Sequence, residues 1–333
     1  VDASFLEGTR ELMRLWTAWF PPLRPVPIVT QSVLGPAPEP NGARRVGAFF
    51  SGGVDSFFTL LRREHEREVN PYAAVDDLIL VWGFDVPLSD EPAFARMRES
   101  VAGVASALGK TLIDLATNVR ETRFRQVPWA KLAHGPALAA VALALEPRFR
   151  AVALASAREY PYSSAGWGSH TVSDPLFSTH RMRVVHDGGT YNRVDKVCFI
   201  AQSELALRHL HVCWRSQSDQ NCGACEKCYR TMTTLAIAGA LERCPTFPDN
   251  RLDLRRVSRM YCYNWVTKSF NRSNRALAVQ HDRPDIAAVL DRSLRLSRRR
   301  DVIRRGAELV SRLPVVWRLA GPLHRAVTRN VIH

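Results

Sequence analysis

Two short stretches of this 333-residue chain have residue types at spacings that suit chemistry. The first is Ser51-Gly52-Gly53-Val54-Asp55-Ser56. Adjacent glycines let the backbone turn so that successive N–H groups face one point and form an anion nest. A helix starting there adds the positive end of its dipole, and the Ser51 and Ser56 hydroxyls are further donors. Asp55 repels phosphate directly but suits Mg²⁺ that bridges phosphate oxygens. No Gly-Lys-Ser/Thr follows, so this is not a Walker A loop, and the dinucleotide fingerprint spacing is absent too. A ligand-free strand–turn–helix junction can also use Gly-Gly; the complete six-residue string favours phosphate.

The second stretch is Cys213-x8-Cys222-x2-Cys225-x2-Cys228, four of the seven cysteines within sixteen residues. Four thiolates are the complement of a closed tetrahedral Zn²⁺ site, and Gly223 permits the tight knuckle. Such a site has no open position and is structural. A [4Fe–4S] cluster uses the same ligands and is the alternative. Cys198, Cys244 and Cys262 stand apart, Cys198 among apolar neighbours as a core thiol. Clustered cysteines point to a metal site in a reducing compartment, not to a disulfide framework. The first residues lack the order of a signal peptide, so a cytoplasmic location is expected.

The elements that must position these groups alternate. VGAFF, LILVWGFD (78–85), TLIDLAT (111–117) and AVALASA (151–157) read as buried strands. Helical patterns lie between them at 54–66, 91–109 and 135–146. This rhythm predicts an α/β domain with a parallel sheet covered on both faces. Residues 4–20 form an amphipathic helix ended by Pro21 and Pro22, and VPIVTQSVL (26–34) reads as a further strand. Residues 158–194 are polar and too long for an idle connector, so they are assigned as a substrate loop. Residues 194–210 return to helix, and 229–242 form a helix behind the cysteines. The organisation is then 1–45, an N-terminal helix and Pro-rich extension; 46–245, the nucleotide domain with its knuckle at 213–228; and 246–333, an Arg-rich helical extension.

AFFSGGVDS resembles the signature of the PP-loop ATP pyrophosphatases, which implies a Rossmann-like domain cleaving ATP between its α- and β-phosphates. Ser51, Gly52, Gly53, Asp55 and Ser56 would bind ATP with Mg²⁺, and adenine would lie near Gly83-Phe84-Asp85. The order phosphate loop, polar loop, lysine-bearing helix and NCGACEKCYR is similar to the 7-cyano-7-deazaguanine synthase branch. That resemblance implies an ATP-dependent, AMP-forming ligase that adenylates a carboxylate for attack by ammonia or an amine. Lys196 would then be catalytic with Asp55, and Cys213, Cys222, Cys225 and Cys228 would hold Zn²⁺. Three departures separate this chain from that branch. Arg230 falls two residues after the last cysteine instead of three, SHTVSDPLFSTHR (169–181) replaces the acidic-Cys-Arg-Pro segment, and Phe84 replaces a tyrosine. The resemblance is therefore specific for ATP chemistry and zinc and leaves the acceptor, a small-molecule or peptide carboxylate, unspecified.

Single residues carry competing readings. Lys196, one of only five lysines, is either a charge on the α-phosphate or a solvated helix lysine. His170 and Asp174 either orient an amine or Mg²⁺, or form turns; His134 caps a helix. The net charge of +14 suggests nucleic acid, but 41 of the 46 basic residues are Arg, a ratio that genome composition also produces. In the tail, Val289, Leu290, Leu294 and Leu296, then Leu309, Leu313, Val316 and Leu319, recur at helical intervals, which favours helices packed on the core over an RNA grip or a membrane-surface segment. A tRNA-modifying PP-loop enzyme remains the alternative function. No apolar run is long enough to cross a bilayer, and a homodimer is allowed.

Overall fold

The computed structural model describes residues 1–36, 44–70, 73–162, 166–213 and 220–311. It divides into two compact units, Val1–Arg251 and Leu252–His333.

In the first unit, helix α1 (Ala3–Trp19) starts where Asp2 accepts the Phe5 N–H at 3.0 Å, and it stops before Pro21-Pro22, which cannot continue it. Then follow β1 (Arg45–Phe49), α2 (Val54–His65), β2 (Asp77–Trp82), α3 (Glu91–Ala107), β3 (Thr111–Ala116), α4 (His134–Ala144), β4 (Phe149–Ala155) and β5 (Arg183–Asp187). Helices α5 (Arg193–Ile200), α6 (Glu204–His209) and α7 (Glu226–Ile237) complete the unit. The strands form one parallel sheet in the order β3-β2-β1-β4-β5. From β1 the chain winds outward first through β2 and β3, then through β4 and β5. The direction therefore reverses between β1 and β4, and the crevice beyond their C-terminal ends is where open α/β sheets bind ligands.

Central strands are buried on both sides, hence their continuous apolar runs. On one side, Leu12 of α1 and Ala137 and Ala142 of α4 form a core with Ile79, Phe149, Leu154 and Val184. Phe149 has no exposed surface, so its truncation to Ala would cost about 3–5 kcal/mol.

Three expectations are corrected. VPIVTQSVL is no strand: Val29 is 92% exposed, and the segment is held by a bridge between Asp2 and Leu34 and by the Val1 ammonium, which donates to the Ser32 carbonyl at 3.0 Å. Pro25 and Pro27 deprive it of ladder donors. Conversely, the supposed substrate loop 158–194 contains β5, an edge strand paired only to β4. The predicted helix 194–210 is also two helices, because Ser203 caps α6 by accepting the Ala206 N–H at 3.2 Å.

The second unit holds α8 (Leu254–Arg259), α9 (Trp265–Gln280) and α10 (Pro284–Ser311). Helix α10 packs against α8 and α9 through Ile286, Ala287 and Leu290, with Ser293 and Ser297 also wholly buried. The Ser297 hydroxyl accepts the Cys262 N–H at 2.9 Å, so this helix turns polar groups as well as leucines inward. Val289, Leu294 and Leu296 are half-buried. Leu313, Val316 and Leu319 lie outside the described residues, as do 37–43 of the connecting loop and 214–219 inside the cysteine stretch.

Candidate functional site

The turn from β1 into α2 is built by its glycines. Gly52 has φ +71°, a left-handed conformation that side chains resist, and a Cβ there would stand 3.3 Å from the His209 carbonyl oxygen. Gly53 is the N-cap of α2 and offers no capping side chain, so the first amides of the helix are not capped by it. The Ser56 hydroxyl donates to the Gly53 carbonyl at 3.0 Å, closing the turn on itself. The loop is braced from outside by the His211 N–H, which donates to the Gly52 carbonyl at 2.8 Å.

Asp55, in the first turn of α2, meets two cations from α5. Arg193 Nη2 donates to Oδ2 at 2.5 Å and Lys196 Nζ to Oδ1 at 3.3 Å; Nζ also donates to the Ser156 carbonyl at 2.6 Å, just beyond β4. Residues 193 and 196 share a helix face by their spacing, and a capping box between Asn192 and Asp195 fixes where that helix starts. Lys196 is 2% exposed, so it is not a solvated helix lysine. Burial alone would raise the Asp55 pKa; the charges of Arg193 and Lys196 outweigh it and hold the carboxyl below the ordinary aspartate range. Burial also lowers the Lys196 pKa, with Asp55 opposing. Each Asp55 oxygen accepts from one of these cations and retains a lone pair for Mg²⁺.

Further charges surround this pair. Lys227 and Arg230 sit on α7, which packs against α5, and Arg230 faces Glu226 at 3.5 Å. Arg193 and Lys227 are the functional candidates that sequence reasoning missed. The i, i+3 spacing of Arg193 to Lys196, and the rarity of lysine in this chain, were the available signals.

The four cysteine sulfurs lie within 4.8 Å of one another. The Cys225–Cys228, Cys222–Cys228 and Cys213–Cys225 separations are 3.5, 3.8 and 4.0 Å. A tetrahedral ion with Zn–S bonds near 2.3 Å requires sulfurs about 3.8 Å apart, so the cluster suits a single ion of zinc type. A cubane interposed between the thiolates would hold them farther apart. The Ala224 and Cys225 N–H groups donate to Cys222 Sγ at 3.4 and 3.3 Å, and the Cys228 N–H to Cys225 Sγ at 3.4 Å, which favours thiolate. The hydrogen bond shared with Cys228 lowers Cys225 to about 4, while the same contact and burial push Cys228 upward. Gly223, at φ +60°, makes the knuckle turn. Asn221 fastens the knuckle: its Oδ1 accepts the Val212 and Cys213 N–H groups at 2.7 and 3.0 Å, and its Nδ2 donates to the Leu210 carbonyl at 2.9 Å.

Asp174, His170, His134 and Phe84 lie on the α4 side of the sheet, and Cys198 on α5. Asp174 is wholly buried and accepts from Ser169 Oγ at 2.6 Å, the His170 N–H at 3.0 Å and Ser173 Oγ at 3.4 Å. It also pairs with His186 Nδ1 of β5 at 2.7 Å, a partner invisible while β5 was read as loop. His170 stacks edge-on against Trp19 of α1. His134 opens α4 and bonds the Trp129 carbonyl at 3.0 Å through Nδ1, and burial lowers its pKa. A Cβ at Gly83, which has φ +97°, would stand 1.9 Å from the Thr117 carbonyl oxygen; Phe84 is buried and tilted against Trp129 at 5.2 Å. Cys198 is half-buried, its thiol pKa raised by burial. No helix among the described residues is long and apolar enough to cross a membrane.

Comparison with models of known protein families, with curated proteins and with solved structures finds no match for this chain.

Proposed function

We propose that this protein is an ATP-dependent, AMP-forming ligase of the PP-loop type, with Zn²⁺ in the cysteine knuckle as a structural ion. The supporting observation is the Asp55–Arg193–Lys196 cluster beside the left-handed Gly52 turn, at the strand-order reversal between β1 and β4. Uncapped amides at a helix start, with a buried lysine and a half-buried arginine beside them, are what a leaving pyrophosphate requires. In this reading a substrate carboxylate oxygen bonds to the α-phosphorus of ATP while the bond to the β-phosphate oxygen breaks. Pyrophosphate leaves with that electron pair; ammonia or an amine then attacks the acyl carbon, AMP leaves with the electrons of the acyl–oxygen bond, and the nitrogen gives up a proton. The protein contributes position and charge: the loop amides orient the phosphates, and Arg193 and Lys196 offset the charge that develops on them. Mg²⁺ accompanying ATP would approach Asp55.

The test is product analysis with ATP, Mg²⁺ and a panel of carboxylate metabolites, peptides and tRNA. AMP and pyrophosphate are expected, and Asp55→Ala abolishes their formation without unfolding the chain. ADP and phosphate as the only products would reject the reading. Adenylate transfer to tRNA would move the protein to the tRNA-modifying branch.

A further inference from the structure

The charge of this chain is not spread evenly. Residues 1–251 carry 28 lysines and arginines against 26 carboxylates, and residues 252–333 carry 18 against six, so the second unit holds +12 of the net +14. Genome composition favours Arg over Lys throughout a chain; it does not place nearly all of the excess in one unit.

The fold of that unit turns much of the excess outward. On α10, Ile286, Leu290, Ser293 and Ser297 recur at three- and four-residue intervals and are buried. Arg292, Arg295, Arg298 and Arg299 lie on the opposite side of the helix and are exposed. The nearby carboxylates are already engaged. Asp301 accepts from the Tyr261 hydroxyl at 2.9 Å and pairs with Lys268, Asp291 pairs with Arg275 at 2.7 Å, and Asp285 with Arg283 at 2.9 Å. Asp253 caps α8 by accepting the Arg256 N–H at 3.1 Å, and Asp282 sits in the turn before α10 at φ +51°. The sixth, Glu308, comes more than two turns after Arg299. The four arginines make no ion pair among the described residues.

Aromatic surface lies beside these cations. The Cys262 N–H donates to Ser297 Oγ at 2.9 Å, Ser293 Oγ donates to the Met260 carbonyl at 2.9 Å, and the Arg300 guanidinium lies over the Tyr261 ring at 5.5 Å. These contacts hold residues 260–262 along α10 between Ser293 and Arg300. Tyr263 follows directly and is 54% exposed; Trp265, at the start of α9, is 46% exposed. Half-exposed rings next to planar cations suit a ligand that offers bases for stacking and phosphates for pairing. A membrane surface requires a continuous apolar stripe instead. The exposed Val302 and Ile303 of α10 are consecutive, so they point about 100° apart and form none.

We propose that the second unit binds single-stranded nucleic acid, with Arg292, Arg295, Arg298 and Arg299 on the phosphates and Tyr263 stacked on a base. The proposal is independent of the ATP chemistry, since it uses neither the glycine turn nor the knuckle. It also reconciles packing with binding: the inner face of α10 closes the unit, and the outer face meets the ligand.

Fluorescence anisotropy of labelled oligo(U) and oligo(dT) of about 20 nucleotides, titrated with the full chain at about 50 to 300 mM salt, tests this. A duplex of the same length and phosphatidylserine-containing vesicles are the comparisons. These four arginines should contribute a slope of about −3 in log affinity against log salt, the value for four phosphates of a single strand. Arg292→Gln, Arg295→Gln, Arg298→Gln and Arg299→Gln together should remove that contribution. If the fourfold variant does not fold, Arg292→Gln with Arg299→Gln should remove about half of it. Tyr263→Ala should weaken binding about tenfold with the slope unchanged, and Tyr263→Phe should keep wild-type affinity. Binding of either single strand upholds the proposal, and the tighter one names the source. Equal or tighter binding of the duplex, vesicle binding without single-strand binding, or unchanged affinity in the folded arginine and Tyr263→Ala variants overturns it.

Discussion

Helix α2 meets an aspartate held by two cations at each end, and the two ends differ. At its C-terminal end Asp187 of β5 accepts from Thr59 Oγ1 at 3.0 Å, from Arg62 Nη2 at 2.8 and 2.9 Å, and from Arg63 Nε at 2.7 Å. Arg62 also reaches Glu66 at 2.6 Å, so two arginines meet two carboxylates and the cluster is neutral. At the N-terminal end Asp55 alone meets both Arg193 and Lys196, one carboxylate to two cations. Counting ion pairs would rank the two alike. What separates a clamp from a ligand site is the charge left over after pairing. The Asp187 clamp ties α2 to the sheet edge, and the Asp55 end sets two cations on a single carboxylate beside the uncapped start of α2.

The largest expected effect concerns the metal beside the second end. A structural zinc site of four thiolates contributes on the order of 10 kcal/mol or more. Chelation, or Cys225→Ser, should therefore collapse the knuckle and free residues 209–213. Hydrogen exchange should rise at Gly52 and Gly53, whose brace comes from His211, before it rises at Thr59–Arg63. Simultaneous exchange at both ends of α2 would mean that they are one cooperative unit and that the contrast fails.

Next in size is the clamp itself. Asp187→Ala leaves Arg62 and Arg63 without their buried counterion and should cost about 3–5 kcal/mol, read as a fall in Tm on the order of 10 °C. Burial raises the pKa of this carboxyl, but Arg63 and Arg62 overcome that and hold it below the ordinary value. Its contribution is thus fully present above the unfolded aspartate pKa of about 3.9 and is lost as pH falls through the lower folded value. Wild-type stability should drop on acidification through that window, and Asp187→Asn should flatten the drop. An unchanged acid limb in the variant would remove the clamp from the account.

The anion end should show its excess charge by linkage. Pyrophosphate at a hundred times its Kd should raise the unfolding free energy by about 2.7 kcal/mol. The gain should shrink with added salt and should be kept in a folded Asp187→Asn protein but not in Arg193→Gln. Equal stabilisation of both variants would erase the distinction between the ends. The smallest effect belongs to the half-exposed Glu66: Glu66→Gln should cost only about 0.3–0.5 kcal/mol in a denaturant titration. A much larger loss would show that the clamp depends on this fourth charge.

Much of this was legible from residues adjacent in sequence. The turn at Gly52-Gly53 follows from backbone freedom, and the sulfur cluster from two-residue spacings, both local properties. Strands β1, β2 and β4 are buried on both sides, so their apolar runs announce them. The edge strand β5 carries only Val184 and Val185 between charged or polar neighbours, and it becomes a strand only because β4 offers an unpaired edge. VPIVTQSVL has a better strand composition and no such edge. Missing β5 concealed both carboxylate clusters it serves, Asp187 with Arg62 and Arg63 and Asp174 with His186.

The sequence by itself determined the α/β alternation, the glycine turn that opens α2, and four thiolates spaced for one ion, because each depends on neighbours a few residues apart. Tertiary structure alone decided that Lys196 is buried and that Arg193 joins it on Asp55 from 138 residues away. Charge balance is a property of a volume, and only the packing of α5 and α7 around the end of β1 brings those groups into one volume.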